Sequence, residues 1–195
     1  YERTNEITRM LSVGMLITTA KNAHEDLLGP APAVGEELTG IPSYDTPDYT
    51  ELFTEEKDLI GRLKKVFLMI AGSAVQKFGP DLEAHQQLLL AAADILIEVY
   101  MAESAVLRAE KNAKRNGEAS QIIQIAMAQL YLYEAADLVI KKGKEAIVSF
   151  AEGDEQRMML MGLKRFTKYQ NQPNVAKLRE LIADAITEKD GYTLD

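Results

Sequence analysis

Two histidines, no cysteine, a lysine-rich turn, a methionine-rich run and an acidic opening segment are the places in this sequence where side-chain types bear on chemistry. Paired-metal carboxylate sites in helical bundles use Glu-x-x-His on each of two helices, so that both ligands share one face. Lys21 stands three residues before His24 and Leu82 three before His85, so that site is excluded and both histidines read as surface or boundary residues. The absence of Cys removes disulfides, thiolate zinc sites and cysteine nucleophiles. Lys141-Lys142-Gly143-Lys144 has the composition of a phosphate cradle, but it falls inside a helical pattern and reads as a solvated face. No Gly-rich phosphate loop or nucleophile elbow occurs elsewhere. The run Arg157-Met158-Met159-Leu160-Met161-Gly162-Leu163-Lys164-Arg165-Phe166 is a pattern that closes a bundle core and, less often, docks a lipid surface or a partner. The opening Tyr1-Glu2-Arg3-Thr4-Asn5-Glu6-Ile7 is, on physical grounds, an extended pair followed by a helix start. Thr4 suits the cap, and Glu6 lies in the first turn, where an acid complements the helix dipole. With no Met before Tyr1, the chain is expected to be a piece of a longer one, and Glu2 is the residue to explain.

The elements that must position these residues are helical. With 47% apolar and 27% charged residues the chain should fold, and few aromatics with clustered Gly and Pro favour helices over sheets. Its apolar runs are far shorter than the roughly 20 residues of a membrane span, which predicts a soluble protein. A net charge of -8 argues against nucleic-acid binding, since phosphates would on average be repelled. The charge is uneven: acidic residues dominate between Glu25 and Asp58, and basic ones outnumber acidic between Lys141 and Arg179. A reducing cytoplasm is compatible with the lack of Cys and is the expected location.

Ile7, Met10, Leu11, Gly14 and Ile17 recur at helical spacing and predict an amphipathic helix from Thr4 to Leu28. The stretch from Gly29 to Tyr49, with four prolines and three glycines, predicts an irregular linker between two units. Beyond it, Leu59, Leu63, Val66, Ile70 and Ala74 mark a helix stopped at Gly79-Pro80. Leu88, Ala92, Ile95, Val99, Ala102, Val106, Ala109 and Ala113 mark a second, ended by Asn116-Gly117. Ile122, Ile125, Gln129, Leu132, Ala136, Val139, Gly143, Ala146 and Phe150 mark a third. Such regular stripes predict an all-α, elongated antiparallel bundle, with Ala92, Ala136 and Gly143 allowing close approach. Shorter helices should run from Asp154 to about Lys168 and from Pro173 to about Lys189. The predicted organisation is thus 1–28, a motif-bearing helix; 29–50, a linker; and 51–195, an appended helical bundle.

The order Tyr-Glu-x-Thr-Asn-Glu-Ile, with Arg9 following, resembles the Tyr/Phe-Glu-Gly-Thr-Asn-Glu-Ile segment of the flavin-dependent acyl-CoA dehydrogenases. In that family the segment lies late in the catalytic unit and leads into its closing helix. Met10-Leu11-Ser12-Val13-Gly14-Met15-Leu16 also looks like the family. Tyr100-Met101-Ala102-Glu103-Ser104-Ala105-Val106-Leu107 and Lys164-Arg165-Phe166-Thr167-Lys168-Tyr169 are similar to the extra C-terminal helical domain of its very-long-chain branch.

The resemblance implies that Glu2 is the base that removes a proton next to the thioester carbonyl while the neighbouring carbon gives a hydride to FAD. An exposed carboxylate is too weak a base for that, so burial beside substrate and flavin should raise its pKa. Thr4 and Glu6 match positions that touch the flavin. Arg3 departs from the family's glycine: it is compatible with a working Glu2 if it points away or pairs with an acid, and otherwise means an altered site. Some branches of the family place the base on another helix. The full-length parent is expected to oxidise acyl-CoA to trans-2-enoyl-CoA with electron-transfer flavoprotein as acceptor. The isolated chain is expected to bind no FAD and to be inactive, its bundle serving subunit packing in a homo-oligomer. The rival expectation is a non-enzymatic interaction or membrane-docking module with a degenerate motif, for which Arg3 is the best argument.

Overall fold

The computed structural model describes residues 4–22, 30–40 and 48–190, and among these every regular element is helical. Helix α1 spans Asn5–Asn22, α2 Pro30–Thr39, α3 Thr54–Phe78, α4 Gln86–Asn116, α5 Ile122–Phe150, α6 Gly153–Phe166 and α7 Val175–Lys189, with 3-10 turns at Gly79–Ala84 and Glu118–Gln121. Connections this short between α3, α4 and α5 make consecutive helices antiparallel neighbours. The broadest contact is α4 on α5; α3 packs across both, α6 closes against α3 and α5, and α7 lies on α5.

The core follows the sequence stripes. All five α3 residues named above and all eight of α4 are buried. On α5 the stripe holds from Leu132 to Phe150, whereas Ile122, at its start, is 52% exposed. Small residues let the helices meet closely: a Cβ added at Gly143 would stand 2.7 Å from Leu163 Cδ1 of α6. Gly117 ends α4 with φ 89°, a conformation that L side chains avoid, and its amide closes the last turn on the Ala113 carbonyl at 2.9 Å.

Two sequence expectations need correction. Residues 30–39 form a helix inside the segment read as irregular. Pro30 opens it, where a missing N–H costs nothing, and Pro32 still lies in the first turn. Val34 is then buried, and Glu37 reaches Lys65 of α3 at 2.7 Å while its carbonyl accepts from Arg165 of α6 at 3.0 Å. Second, the stretch 118–150 is long and apolar enough by length and composition to cross a membrane, which a search for unbroken apolar runs misses. In this fold two of its polar side chains are taken up by neighbouring helices. Gln129 donates to Glu56 of α3 at 2.8 Å, and Tyr131 donates to Glu98 of α4 at 2.9 Å. Burial and that bond push the Tyr131 hydroxyl up to about 12.

Candidate functional site

Thr4 precedes α1 as expected of a cap residue, its carbonyl accepting the Thr8 amide at 3.1 Å. Helix α1 does not stand apart from the bundle: it packs along α4, with Val13 only 1% exposed. One turn before Val13, on the same face, the Arg9 guanidinium donates to the Asp94 carboxylate of α4. Asp94 is 14% exposed and also meets Lys142 of α5, 3.3 Å away. Glu145 and then Asp94 hold the Lys142 ammonium above its usual value against the opposing effect of burial. Glu6 lies 4.0 Å from Arg9 on the outer side, so the acid of the first turn is tied into the same chain of charges.

Away from that anchor α1 is open. Thr4 and Glu6 are exposed, and so are Ile7, Leu11 and Met15. A groove of about 540 Å³ runs beside the helix, lined by Ile7, Met10, Leu11 and Met15 and closed by Leu89 of α4. First-turn amides of a helix have no intrahelical partner, and at the α1 start an exposed carboxylate and hydroxyl stand beside them. These residues do not enclose a cofactor, because the groove lies along the helix flank and does not extend to Thr4.

A second concentration of charge sits at the start of α3, where sequence reading assigned nothing. Phe53 adopts φ 63°, unusual for a buried aromatic residue, and turns the chain into the helix. Glu55 and Glu56, in the first turn of α3, are both buried. Glu55 accepts from the Gln170 and Asn171 amides at 2.9 and 2.8 Å and from Asn171 Nδ2 at 2.7 Å, stapling the loop after α6 to α3. Glu56 accepts from Tyr169, whose hydroxyl is driven far up by burial and by the two carboxylates. Nearby Glu110 of α4 meets Lys114 at 2.7 Å and Lys57 at 2.8 Å, and these cations hold its carboxyl below the ordinary 4.5. Pairs of neighbouring acids in a charged stretch are common on solvated helix faces, which is why they gave no signal; only their tertiary partners reveal them.

A lowered folded pKa makes Glu110 stabilising above its unfolded value, and that contribution disappears as pH falls through the lower folded value. Glu110→Gln should therefore flatten the loss of stability on acidification below about pH 4.5. Urea midpoints measured at neutral pH and down to roughly pH 3.5 check this. An acid limb identical to that of the unsubstituted chain would show that the two lysines do not act on Glu110.

Glu2 and His24 lie outside the described residues. His85 is a boundary residue, stacked on Phe78 with ring centroids 3.6 Å apart. Among the described residues no group of three His, Cys, Asp or Glu side chains could hold a metal ion. The methionine-rich run divides: Met159, Leu163 and Phe166 enter the core, while Met158 and Met161 are 40% and 73% exposed. The lysine-rich turn divides too, Lys141 and Lys144 facing outward and Lys142 turned to Asp94.

Comparison with known proteins bears on the same elements. Residues 62–165, from α3 to α6, match the family described as Acyl-CoA dehydrogenase, C-terminal domain. A probable acyl-CoA dehydrogenase of Bacillus subtilis (strain 168) is 31% identical over 194 residues, which is 100% of this chain and 32% of that protein. The crystal structure of an acyl-CoA dehydrogenase complexed with FAD from Bacillus anthracis superposes with a TM-score of 0.90 at 33% identity, again over 100% of this chain and 32% of that one. The chain thus spans about a third of the length of these relatives. Neither the family description nor the relatives' names single out the very-long-chain branch. With matches that run through the whole helical assembly, the chain belongs to the acyl-CoA dehydrogenase family and carries its C-terminal domain.

Proposed function

We propose that this chain is the C-terminal part of an FAD-dependent acyl-CoA dehydrogenase of the very-long-chain type, that α1 is the closing helix of its catalytic domain, and that the parent converts acyl-CoA to trans-2-enoyl-CoA. The observation that carries the reading is a fold shared over the entire chain with an FAD-complexed relative, while the chain makes up only 32% of that relative. Glu2 is the proton-abstracting base. Thr4 and Glu6 would hold the flavin edge that faces the start of α1, with the first-turn amides favouring negative charge there. When bound, the flavin supplies the acceptor for the hydride leaving the thioester's β carbon. The chain's own task is to present a carboxylate at the α carbon, in surroundings dry enough to make it a useful base. Electrons pass on to an electron-transfer flavoprotein, and the bundle covers the catalytic domain or packs subunits of a homo-oligomer.

The isolated chain offers one edge of a flavin site, so it should bind no FAD and oxidise no acyl-CoA, whereas the full-length parent should do both. Flavin absorbance after desalting, with enoyl-CoA formation followed in parallel, tests this. Stoichiometric flavin on the isolated chain would contradict the division of the site, and a flavin-free, inactive parent would contradict the enzymatic reading.

A further inference from the structure

We infer that Asp94, in the middle of α4, is a positioning residue for the active-site helix, fixing the rotation and tilt of α1 through Arg9; this deepens the reading just proposed and rests on it. Among the described residues Arg9–Asp94 is the one ion pair between α1 and the bundle, and Val13, a turn later on the same face, is the one α1 side chain buried below a few per cent. Met10 and Leu16 of α1 also pack against the core, but apolar contacts are non-directional, so the ion pair is the contact that fixes the rotation of the helix. Both oxygens of the Asp94 carboxylate are engaged, Oδ1 by Arg9 and Oδ2 by Lys142. Its flanking residues Ala93 and Ile95 are both 0% exposed, and Lys142 of α5 takes its second oxygen while Glu145 holds that lysine at 3.1 Å. Among the described residues the buried Arg9 Nε has no hydrogen-bond partner, so the guanidinium is held by its terminal nitrogens, and losing Asp94 would leave a mostly buried cation with only Glu6, 4.0 Å away on the outer side, as its counter-ion.

Arg9 lies five residues past Thr4, roughly 7 Å along the helix axis, so a swing of α1 about Val13 moves the motif end with leverage. Displacements of about 1 Å at reacting groups are enough to slow an enzyme as much as a hundredfold. The bundle therefore does more than pack subunits: through one carboxylate it sets where the motif helix points. Glu6, on the outer side of Arg9, completes a line of alternating charge from α1 to α5.

The test has two arms. In the 195-residue chain, hydrogen exchange of α1 amides is compared with that of α3 amides, which report whether the bundle is intact. Asp94→Asn should speed α1 exchange about tenfold with α3 unchanged, Arg9→Gln should match it, the double variant should add nothing, and Asp94→Glu should stay near the unsubstituted chain. Unchanged α1 exchange in Asp94→Asn, or additive effects of the two substitutions, overturns the clamp. In the full-length parent, Asp94→Asn should lower kcat about tenfold while bound flavin and KM are retained, with recovery in Asp94→Glu. An Asp94→Asn parent with full kcat overturns the positioning role. A parent that in its natural form neither holds flavin nor oxidises acyl-CoA defeats the proposed function instead, and the exchange arm then decides the clamp alone.

Discussion

Glu2→Gln in the full-length parent should cut turnover of acyl-CoA by about 10²–10⁴-fold, the usual contribution of a positioned general base, while leaving flavin bound. The substitution keeps the size and hydrogen-bonding shape of the side chain and removes only its capacity to take a proton. Loss of rate with retained flavin separates a base from a residue that merely supports the pocket. Because the proton leaves carbon in the step the carboxylate serves, the loss should fall on kcat and kcat/KM together, with little change in KM. Arg3 makes the experiment sharper. If its guanidinium were aimed at Glu2, the carboxylate would be held in its charged form at a low pKa, and a Glu2→Gln loss at the small end of the range would follow. Retained turnover would move the base to another helix.

The second large effect concerns stability. Leu132 lies at the centre of α5 with 0% exposure, and the α5 residues around it on the same face are Ala128, Ala135 and Ala136. Alanine side chains are too short to swing into a vacated space, so Leu132→Ala should leave a cavity close to the size of the deleted atoms. The expected cost lies in the upper part of the 2–5 kcal/mol range for buried leucine truncations, about 4 kcal/mol. For a chain of this length about 1 kcal/mol corresponds to roughly 2–4 °C, so the melting temperature should fall by about 8–16 °C. Val148→Ala on the same helix, where the side chain is 56% exposed, is the matched control and should stay within about 0.5 kcal/mol. Equal effects at the two sites would mean that the stripe through Leu132 is not the seam of the bundle.

The legible part of this fold is the part in which one physical pattern dominates. Along α4, eight positions spaced by four and three from Leu88 to Ala113 were expected to be buried, and all eight are. That regularity leaves only one face able to meet a neighbour, and local sequence is enough to find it. Helix α2 was illegible because proline is read as a breaker, although in the first turn its fixed φ is an asset. Glu55, Glu56 and Asp94 were illegible for another reason. Their identity as acids on helices says only that they are polar; their partners Asn171, Tyr169 and Arg9 come from segments far away in the chain. The candidate site divides along the same line. Residue order in the opening segment pointed to a family, and the family's helical C-terminal domain is what the chain carries. How the motif helix is held could come only from packing, because Arg9 and Asp94 are 85 residues apart.

The central claim is that Glu2 is the residue that takes the substrate's proton. Its most direct test is anaerobic mixing of acyl-CoA with the flavin-loaded full-length protein, in natural form and as Glu2→Gln, followed by flavin absorbance in a single turnover. Rapid bleaching in the natural protein and none on the same timescale in the flavin-replete Glu2→Gln variant is the predicted result; bleaching of the variant at the natural rate would contradict it.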